Sequence, residues 1–354
     1  GSILTERYKI EKNKFCDGGE YVIVNGLYFS TCEIPMKIRL GIVGLGVFFN
    51  KKHLPAILKL QDQFEIRCVY TSSREKFAKL HAQIPGAKHC EDPAALLAQD
   101  DVDAVVACVP IPRQFEIARQ VLLARKHLLA EKPLAATLAQ GRALLAMAKR
   151  KGVQFMIAEN FRYVSVFHQV KRILNDGALG KIRLVQINTL LNLDEASPYY
   201  ARWRFDPKGY DGILLDGGIH IVSLLRFLLG TLKLRYRHLA SVNPHLGKHD
   251  TAILHLESSA KVVIDAVISY SIFNRDDFFL KIYGSEGSLK CNMSTLILEG
   301  ATSKAEHAFP SHEYADIYTD FFNAVTQKKK PAYDIREAYA DLAAFDAVFN
   351  AKPK

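Results

Sequence analysis

The stretch Lys37-Ile38-Arg39-Leu40-Gly41-Ile42-Val43-Gly44-Leu45-Gly46 decides how this chain is read. Ile38 to Val43 is a mostly apolar run of strand length, the pattern of a strand covered on both faces in a parallel sheet. Gly44-Leu45-Gly46 lets the backbone turn tightly, and Val47 and Phe48 open a helical segment that runs through His53-Leu54-Pro55-Ala56-Ile57-Leu58. Such a helix N-terminus favours a pyrophosphate, because free N–H groups and the helix dipole both face it. Gly44, Gly46, Val47 and Phe48 are therefore candidate cofactor-binding residues. Phe49 fills the third glycine position of the dinucleotide fingerprint, so the motif alone fits a structural turn equally well.

The units that follow supply context. Phe64 to Tyr70, Val102 to Val109, Leu128 to Ala130 and Val153 to Ala158 read as strands. Glu75 to Ile84, Gln114 to Ala124 and Leu138 to Lys151 read as helices, the last closed by Gly152. This alternation predicts a doubly wound parallel sheet over residues 37–158. The second strand ends in Thr71-Ser72-Ser73-Arg74, where an NAD site carries a carboxylate for the ribose hydroxyls. No carboxylate stands there. Ser72, Ser73, Arg74 and Lys76 suit a 2′-phosphate instead, which favours NADP(H) over NAD(H), with NAD(H) still possible. The plainer reading is a serine N-cap followed by a solvent arginine. Val109, Pro110 and Ile111, at the end of another strand, either line a nicotinamide or form only a rigid turn.

Ala130-Glu131-Lys132-Pro133 ends the next strand at the edge where such sheets carry their ligands. Pro133 cannot donate to a ladder, so it stops the strand and holds the Lys132 ammonium in place. Beyond Asn160-Phe161-Arg162-Tyr163 the pattern changes. A helix from Phe167 to Asp176 ends at Gly177. Longer alternating strands follow, Val185 to Leu193, Ala252 to Leu256, Lys261 to Tyr270 and Phe278 to Tyr283, before a closing helix, Asp334 to Ala347. Residues 159–354 are thus a second domain with an open sheet, whose free face predicts a homodimer or homotetramer. Within it lies Asp216-Gly217-Gly218-Ile219-His220. Asp216 and His220 are four apart and share one helix face, where a histidine can exchange a proton and a carboxylate can orient it. Taken alone, His220 fits a hydrogen-bonded core histidine. Two such ligands do not make a metal site.

Composition bounds the partners. A chain of 354 residues exceeds one typical core, and 49% hydrophobic with 24% charged residues is average globular usage. The formal charge is +10, yet no run of five basic residues occurs; Lys328-Lys329-Lys330 is the longest cluster. That argues against nucleic acid and for steering of an anionic small molecule at most. The expectation is no membrane span and no signal-peptide core, hence a cytoplasmic protein with reduced thiols at its six scattered cysteines. Residues 1–36 stand apart: Gly1-Ser2 reads as an expression scar, and Tyr21 to Val24, Asn25-Gly26 and Leu27-Tyr28-Phe29 read as a hairpin.

Gly44-Leu45-Gly46, His53-Leu54-Pro55-Ala56, Glu131-Lys132-Pro133, Glu159-Asn160-Phe161-Arg162-Tyr163, Asp216-Gly217-Gly218-Ile219-His220 and Tyr283-Gly284-Ser285-Glu286-Gly287, in this order, resemble the Gfo/Idh/MocA family of glucose-fructose oxidoreductase and inositol dehydrogenase. The resemblance implies an N-terminal Rossmann domain and a C-terminal α/β domain with an open, mostly antiparallel sheet. It implies a nicotinamide between them and catalytic positions at Lys132, Asp216 and His220. Glu131, Lys132, Asn160, Trp203 and Arg204 are then cofactor-side candidates, although Trp203 fits mere packing equally well. Arg162 and Tyr163 join the catalytic set as substrate-binding candidates. Val109, Ile111 and Gln114 stand where many members carry Thr, Asn and His. The activity implied is NADP(H)-preferring interconversion of a secondary alcohol and a ketone on a sugar, cyclitol or related polyol. His220 would handle the proton, Lys132 polarise the oxygen, and Asp216 position substrate and histidine; which of Lys132 and His220 is the main acid/base stays open. The rivals are a biliverdin-reductase-like reductase of a conjugated substrate and a non-catalytic NADP-binding regulator.

Overall fold

A computed structural model describes residues 10–14, 20–24, 27–30, 37–205, 212–300 and 304–350. Gly1-Ser2, the Asn25-Gly26 turn and Tyr210-Asp211 lie outside the described residues. At the N-terminus β1 (Ile10–Lys14), β2 (Glu20–Val24) and β3 (Leu27–Ser30) form a three-stranded antiparallel sheet. The expected hairpin is its β2–β3 pair, joined by a strand that sequence reading did not name.

The first domain is built on β4 (Ile38–Val43), β5 (Phe64–Tyr70), β6 (Lys88–His89), β7 (Ala104–Ala107), β8 (His127–Glu131) and β9 (Phe155–Ala158). They run parallel in the order β6-β5-β4-β7-β8-β9. Leu40, Ile42, Val105, Val106, Leu128 and Leu129 are fully buried, which is why these strands carry no polar alternation. The crossovers contain α1 (Leu54–Lys59), α2 (Arg74–His81), α3 (Pro93–Leu97), α4 (Ile111–Leu123) and α5 (Leu138–Lys151). The chain passes from β4 to β5 on one side and returns to β7 on the other, so the crevice above β4 and β7 is the switch point where doubly wound sheets bind ligands.

Two local departures shape that crevice. Helix α4 begins at Ile111 rather than Gln114, because Pro112 sits in its first turn, where a missing N–H costs nothing. The Pro110-Ile111-Pro112 stretch is therefore a helix start, not a free turn. Phe49 to His53 form a π-turn ahead of α1. Phe49 is fully buried and stacks on His53, with ring centroids 6.3 Å apart, so the bulky third fingerprint residue turns into the core.

The second domain contains α6 (Ser165–Asn175), β10 (Leu184–Asn192), α7 (Arg202–Phe205), α8 (Gly212–Leu229), β11 (Leu232–Ala240), β12 (Thr251–Ser258), β13 (Val263–Ser269), β14 (Ser271–Tyr283), β15 (Gly287–Cys291), β16 (Thr295–Gly300), β17 (Lys304–Ala308), α9 (Glu313–Thr326) and α10 (Ile335–Phe349). Its eight strands lie in the order β11-β12-β13-β10-β14-β15-β16-β17. Every pairing is antiparallel except β10 with β13. Ala252, Leu254, Leu256, Ile264, Ala266 and Ile268 bury one face of the sheet, while Ile253 and Val263 are exposed on the other.

Against the expectation of no bilayer-length segment, α8 is an 18-residue helix of mean hydropathy 1.7. It is 67% buried inside the protein and packs as a core helix: Gly218 leaves room for Phe345 and Phe349 of α10, and an added Cβ there would come 3.3 Å from each ring. The last two helices return to the first domain. Tyr318 of α9 meets Phe64 edge-on at 5.3 Å, and Leu342 of α10 packs so closely over Gly141 of α5 that a Cβ would approach it to 2.8 Å.

Candidate active site

The carboxyl ends of β4, β7 and β8 open into a cavity of about 270 Å³. Gly46, Val47 and Phe48 line it from the β4 turn, Val109, Pro110 and Ile111 from the start of α4, and Glu131 and Lys132 from the end of β8. Trp203, Arg204 and Asp216 reach it from the second domain, and Lys76 from the first turn of α2. Gly44 does not line the cavity but makes its floor possible. Its φ is +96°, and a Cβ would lie 2.4 Å from the Cys108 carbonyl oxygen, so only glycine lets the turn pass this close to β7. That cradle and the helix start beside it fit a dinucleotide pyrophosphate.

Lys132 is buried, and its cis bond to Pro133 ends β8. Its ammonium donates to Asp216 Oδ1 at 2.8 Å and to the Asp216 carbonyl at 2.7 Å. The other carboxylate oxygen, Oδ2, accepts from Arg204 Nε at 2.7 Å. Arg204 in turn donates to the Tyr199 carbonyl at 2.7 Å and lies 4.1 Å from the Trp203 ring. Burial alone would push the Asp216 carboxyl upward; the Lys132 ammonium and Arg204 guanidinium beside it prevail and hold it well below the usual carboxylate range. Tyr270, also buried, presses its hydroxyl on this corner, and burial with the neighbouring Asp216 charge raises that phenol.

Asp216 and His220 do share a face of α8, yet only Asp216 lines the cavity, with His220 one turn behind it, and they do not touch the same partner. Sequence reading expected Asp216 to orient the histidine. Instead His220 Nδ1 lies 2.6 Å from Glu159 Oε1, and its ring stacks on Phe161 at 4.8 Å. Asp216 is already spent on two cations, whereas Glu159, at the carboxyl end of β9, is fully buried and faces the imidazole.

A second buried cluster sits behind Lys132. Glu131 Oε1 accepts from Tyr314 at 3.0 Å and lies 2.8 Å from His53 Nε2, while Oε2 accepts from the Lys132 backbone N–H at 3.2 Å. With Nε2–H directed at Glu131, His53 Nδ1 accepts from the Tyr318 hydroxyl at 3.0 Å. Burial opposes the Glu131 charge, and the bond from His53 and the nearby Lys132 outweigh it, so the carboxyl titrates below its ordinary value. Glu131 therefore both lines the cavity and holds the backbone of Lys132. The Gln114 side-chain amide donates to the carbonyls of Glu131 and Pro133 and pins the same turn from α4.

Several expected site residues lie elsewhere. Arg162 is buried with Nε on Ser223 at 2.7 Å and its terminal nitrogen on Asp341 at 3.0 and 3.1 Å; it is a core ion pair, not a substrate ligand. The Tyr163 hydroxyl donates to Asp320 at 2.7 Å and is likewise structural. Both follow a turn that directs their side chains into the helical layer. Asn160 begins that turn, half-buried and outside the cavity lining. Ser73 is the N-cap of α2, accepting from Lys76 N at 3.2 Å, and Ser72 is exposed. Arg74 pairs at the surface with Glu91 at 3.0 Å. Tyr199, 5.4 Å from Phe48, is a cavity residue that sequence reading missed; Glu159 and the Tyr314–His53 pair, which lie behind the cavity lining, were missed as site residues too. Glu159 could have been found, since it ends a buried strand at the ligand edge. Tyr314 and Tyr318 sit on α9, about 180 residues from Glu131, and no local pattern announces them. Among the described residues no group of three or more His, Cys, Asp or Glu side chains could hold a metal ion.

Comparison with known proteins agrees with this geometry. Residues 38–159 match the model of an oxidoreductase family with an NAD-binding Rossmann fold, and residues 171–353 match the C-terminal alpha/beta domain of the same family. The chain is 30% identical over 270 residues to D-apiose dehydrogenase of Paraburkholderia graminis, covering 74% of this chain and 69% of that one. It is 25% identical over 334 residues to inositol 2-dehydrogenase of Rhizobium meliloti, covering 88% and 96%. Its fold superposes on the crystal structure of an oxidoreductase from Thermotoga maritima with a TM-score of 0.83 at 27% identity, over 88% of this chain and 95% of that chain.

Proposed function

Because this chain belongs to the Gfo/Idh/MocA family of NAD(P)-dependent oxidoreductases, matched in both of its domains, we propose that it interconverts a secondary alcohol and a ketone on a sugar, cyclitol or related polyol, with NADP(H) preferred. The bound nicotinamide would supply or accept the hydride. Val47, Phe48, Val109, Pro110 and Ile111 would hold it against the first domain, and Trp203 and Arg204 would face it from the second.

The observation that carries this reading is how Lys132 is used. An ammonium has three donors, and two are fixed on Asp216. Among the described residues the third meets no acceptor, which leaves it for a ligand oxygen in the cavity that Lys132 lines. A pre-aimed cation of this kind stabilises the charge that develops on a carbinol or carbonyl oxygen. Substrate polyol names recur among the relatives, D-apiose and inositol, and fit the polar corner of Lys132, Asp216 and Arg204.

The NADP(H) preference rests on two features. No carboxylate follows β5 at Thr71 to Arg74, and Lys76 lines the cavity. The Arg74–Glu91 pair, with side chains 69% and 79% exposed, is a surface ion pair of small worth that a phosphate can displace.

Titration with NADPH and NADH, followed by nicotinamide fluorescence, tests the cofactor. Tighter NADPH binding that Lys76→Ala or Arg74→Ala weakens supports the preference; equal affinities refute it. A screen of polyols and keto-sugars then tests the reaction. Lys132→Ala is expected to lose turnover by at least about 10²-fold, the scale of removing one charge-stabilising donor, while still binding the cofactor. Undiminished turnover in that variant would refute carbinol chemistry.

A further inference from the structure

We infer that Glu159 is the positioning residue of His220, so that the proton-handling unit of the site is a Glu159–His220 dyad distinct from the Lys132–Asp216–Arg204 cluster. The inference rests on the reaction proposed above. Glu159 Oε1 lies 2.6 Å from His220 Nδ1 and also accepts the Phe161 backbone N–H at 3.1 Å, which caps the short turn after β9. The carboxylate is thus fixed from its own strand before it meets the ring. Its Oε2 is buried and meets no donor among the described residues. Phe161, stacked on the imidazole with an interplanar angle of 20°, restricts the ring's tilt.

A carboxylate can only accept, so the ring nitrogen facing it must carry hydrogen. This sets the tautomer with Nδ1–H toward Glu159 and leaves Nε2 as the acceptor. In the oxidising direction the substrate O–H bond breaks and an Nε2–H bond forms. The electron pair left on oxygen becomes the second carbonyl bond as hydride leaves the carbinol carbon. Positive charge then develops on the imidazole directly opposite a buried anion, where low polarity makes the attraction strong. In the reducing direction the same Nε2–H returns its proton. Lys132 keeps two of its hydrogens on Asp216 and acts beside the dyad, its third stabilising the charge on the same oxygen.

The test begins without a substrate. Protein labelled with 15N-histidine is compared as wild type, Glu159→Gln and Glu159→Ala, with His220→Ala identifying the resonance. The expected wild-type ring carries its proton on Nδ1 in the neutral form, and Glu159→Ala shifts it toward the Nε2–H tautomer. With a substrate from the screen, Glu159→Ala should lower kcat by about 10²-fold while KM and NADPH affinity stay near wild type. The isosteric Glu159→Gln should fold normally and lose less. A wild-type ring protonated on Nε2 overturns the dyad. So does a Glu159→Ala protein with unchanged tautomer whose Tm and NADPH affinity fall together, since that is a structural role. Failure to find any carbinol substrate counts against the proposed reaction; the tautomer decides this inference separately.

Discussion

Asp216 is the residue on which two cations converge, and its titration is the first thing the geometry makes testable. Its folded pKa is depressed by Lys132 and Arg204. A depressed carboxylate contributes stability that is present above its unfolded value, near about 4 for Asp, and is lost as pH falls through that value toward the folded one. Asp216→Asn should therefore be less stable than wild type at pH 6, with a gap that narrows below about pH 4. Urea denaturation at pH 6, 4 and 3 measures it; a gap that stays constant to pH 3 means the ion pair is not the cause. A second prediction concerns Gly217. A Cβ there would fall 1.5 Å from the Tyr270 hydroxyl oxygen, so the ring must move. Gly217→Ala should cost about 1–3 kcal/mol, the usual cost of overpacking, read as a lower urea midpoint. The sequence made the Asp216–His220 spacing legible but not the partners across from it. Those come from β8 and β9, and which carboxylate meets which base is decided only when strands 28 residues apart in numbering, at Glu131 and Glu159, end side by side. The same limit explains Arg162 and Tyr163. Their motif is visible, but the direction of a side chain after a one-turn 3₁₀ helix is a tertiary fact.

The turn from β8 to α5 holds Lys132, and it is held in turn by α4. Gln114 is buried and donates to two carbonyls of that turn. Gln114→Leu fills the same space without donors and leaves both carbonyls unpaired. The expected loss is about 1–3 kcal/mol per unsatisfied group, seen as a lower melting temperature. Turnover should fall as well, because the Lys132 backbone is freed; a stable variant with full activity would show that Glu131 and His53 suffice to hold the turn. Elements of this kind were legible where one signal dominates. Helix α5 has the bounds expected for it, Leu138 to Lys151 closed by Gly152: Gly152 takes the left-handed φ of +67°, and at the other end the Thr137 side chain accepts from Gln140 N. The edge strands β11 and β17, and β15 and β16 inside the latter, were not read at all. β17 is exposed throughout and carries no hydrophobic signature, whereas β11 does alternate, Leu232, Leu234 and Tyr236 with Lys233, Arg235 and Arg237, and was legible. Helix α9 went unread for another reason, its apolar stripe being built largely of tyrosine and phenylalanine, which also suit strands.

At the scale of the whole molecule the eight-stranded sheet has one face on α8 and α10 and one face with large apolar side chains left exposed among the described residues. That second face carries Tyr236 at 55% exposure, Ile253 at 38% and Val263 at 51%. Register puts them on one face, interspersed with polar side chains: Tyr236 opposite His255, Ile253 opposite Val267, and Glu257 opposite Val263. Large apolar groups exposed on one face of an open sheet mark a surface for another protein to cover. We propose that a second copy of the chain covers them, face to face about a twofold axis. In such an isologous interface every residue acts twice, so a charge introduced at one position faces or neighbours its own copy. Ile253→Glu with Val263→Glu should therefore separate the subunits while leaving each fold intact, because both side chains point away from the core that Leu254 and Ile264 fill. Analytical ultracentrifugation should show a dimer or tetramer for the wild type and a monomer for the double variant, with equal melting temperatures at low concentration. A monomeric wild type would rule out the interface. An oligomer that survives both charges would move it to another surface, since an interface of ordinary size, about 800 Å² per partner, centred on these strands could not bury four like charges unpaired.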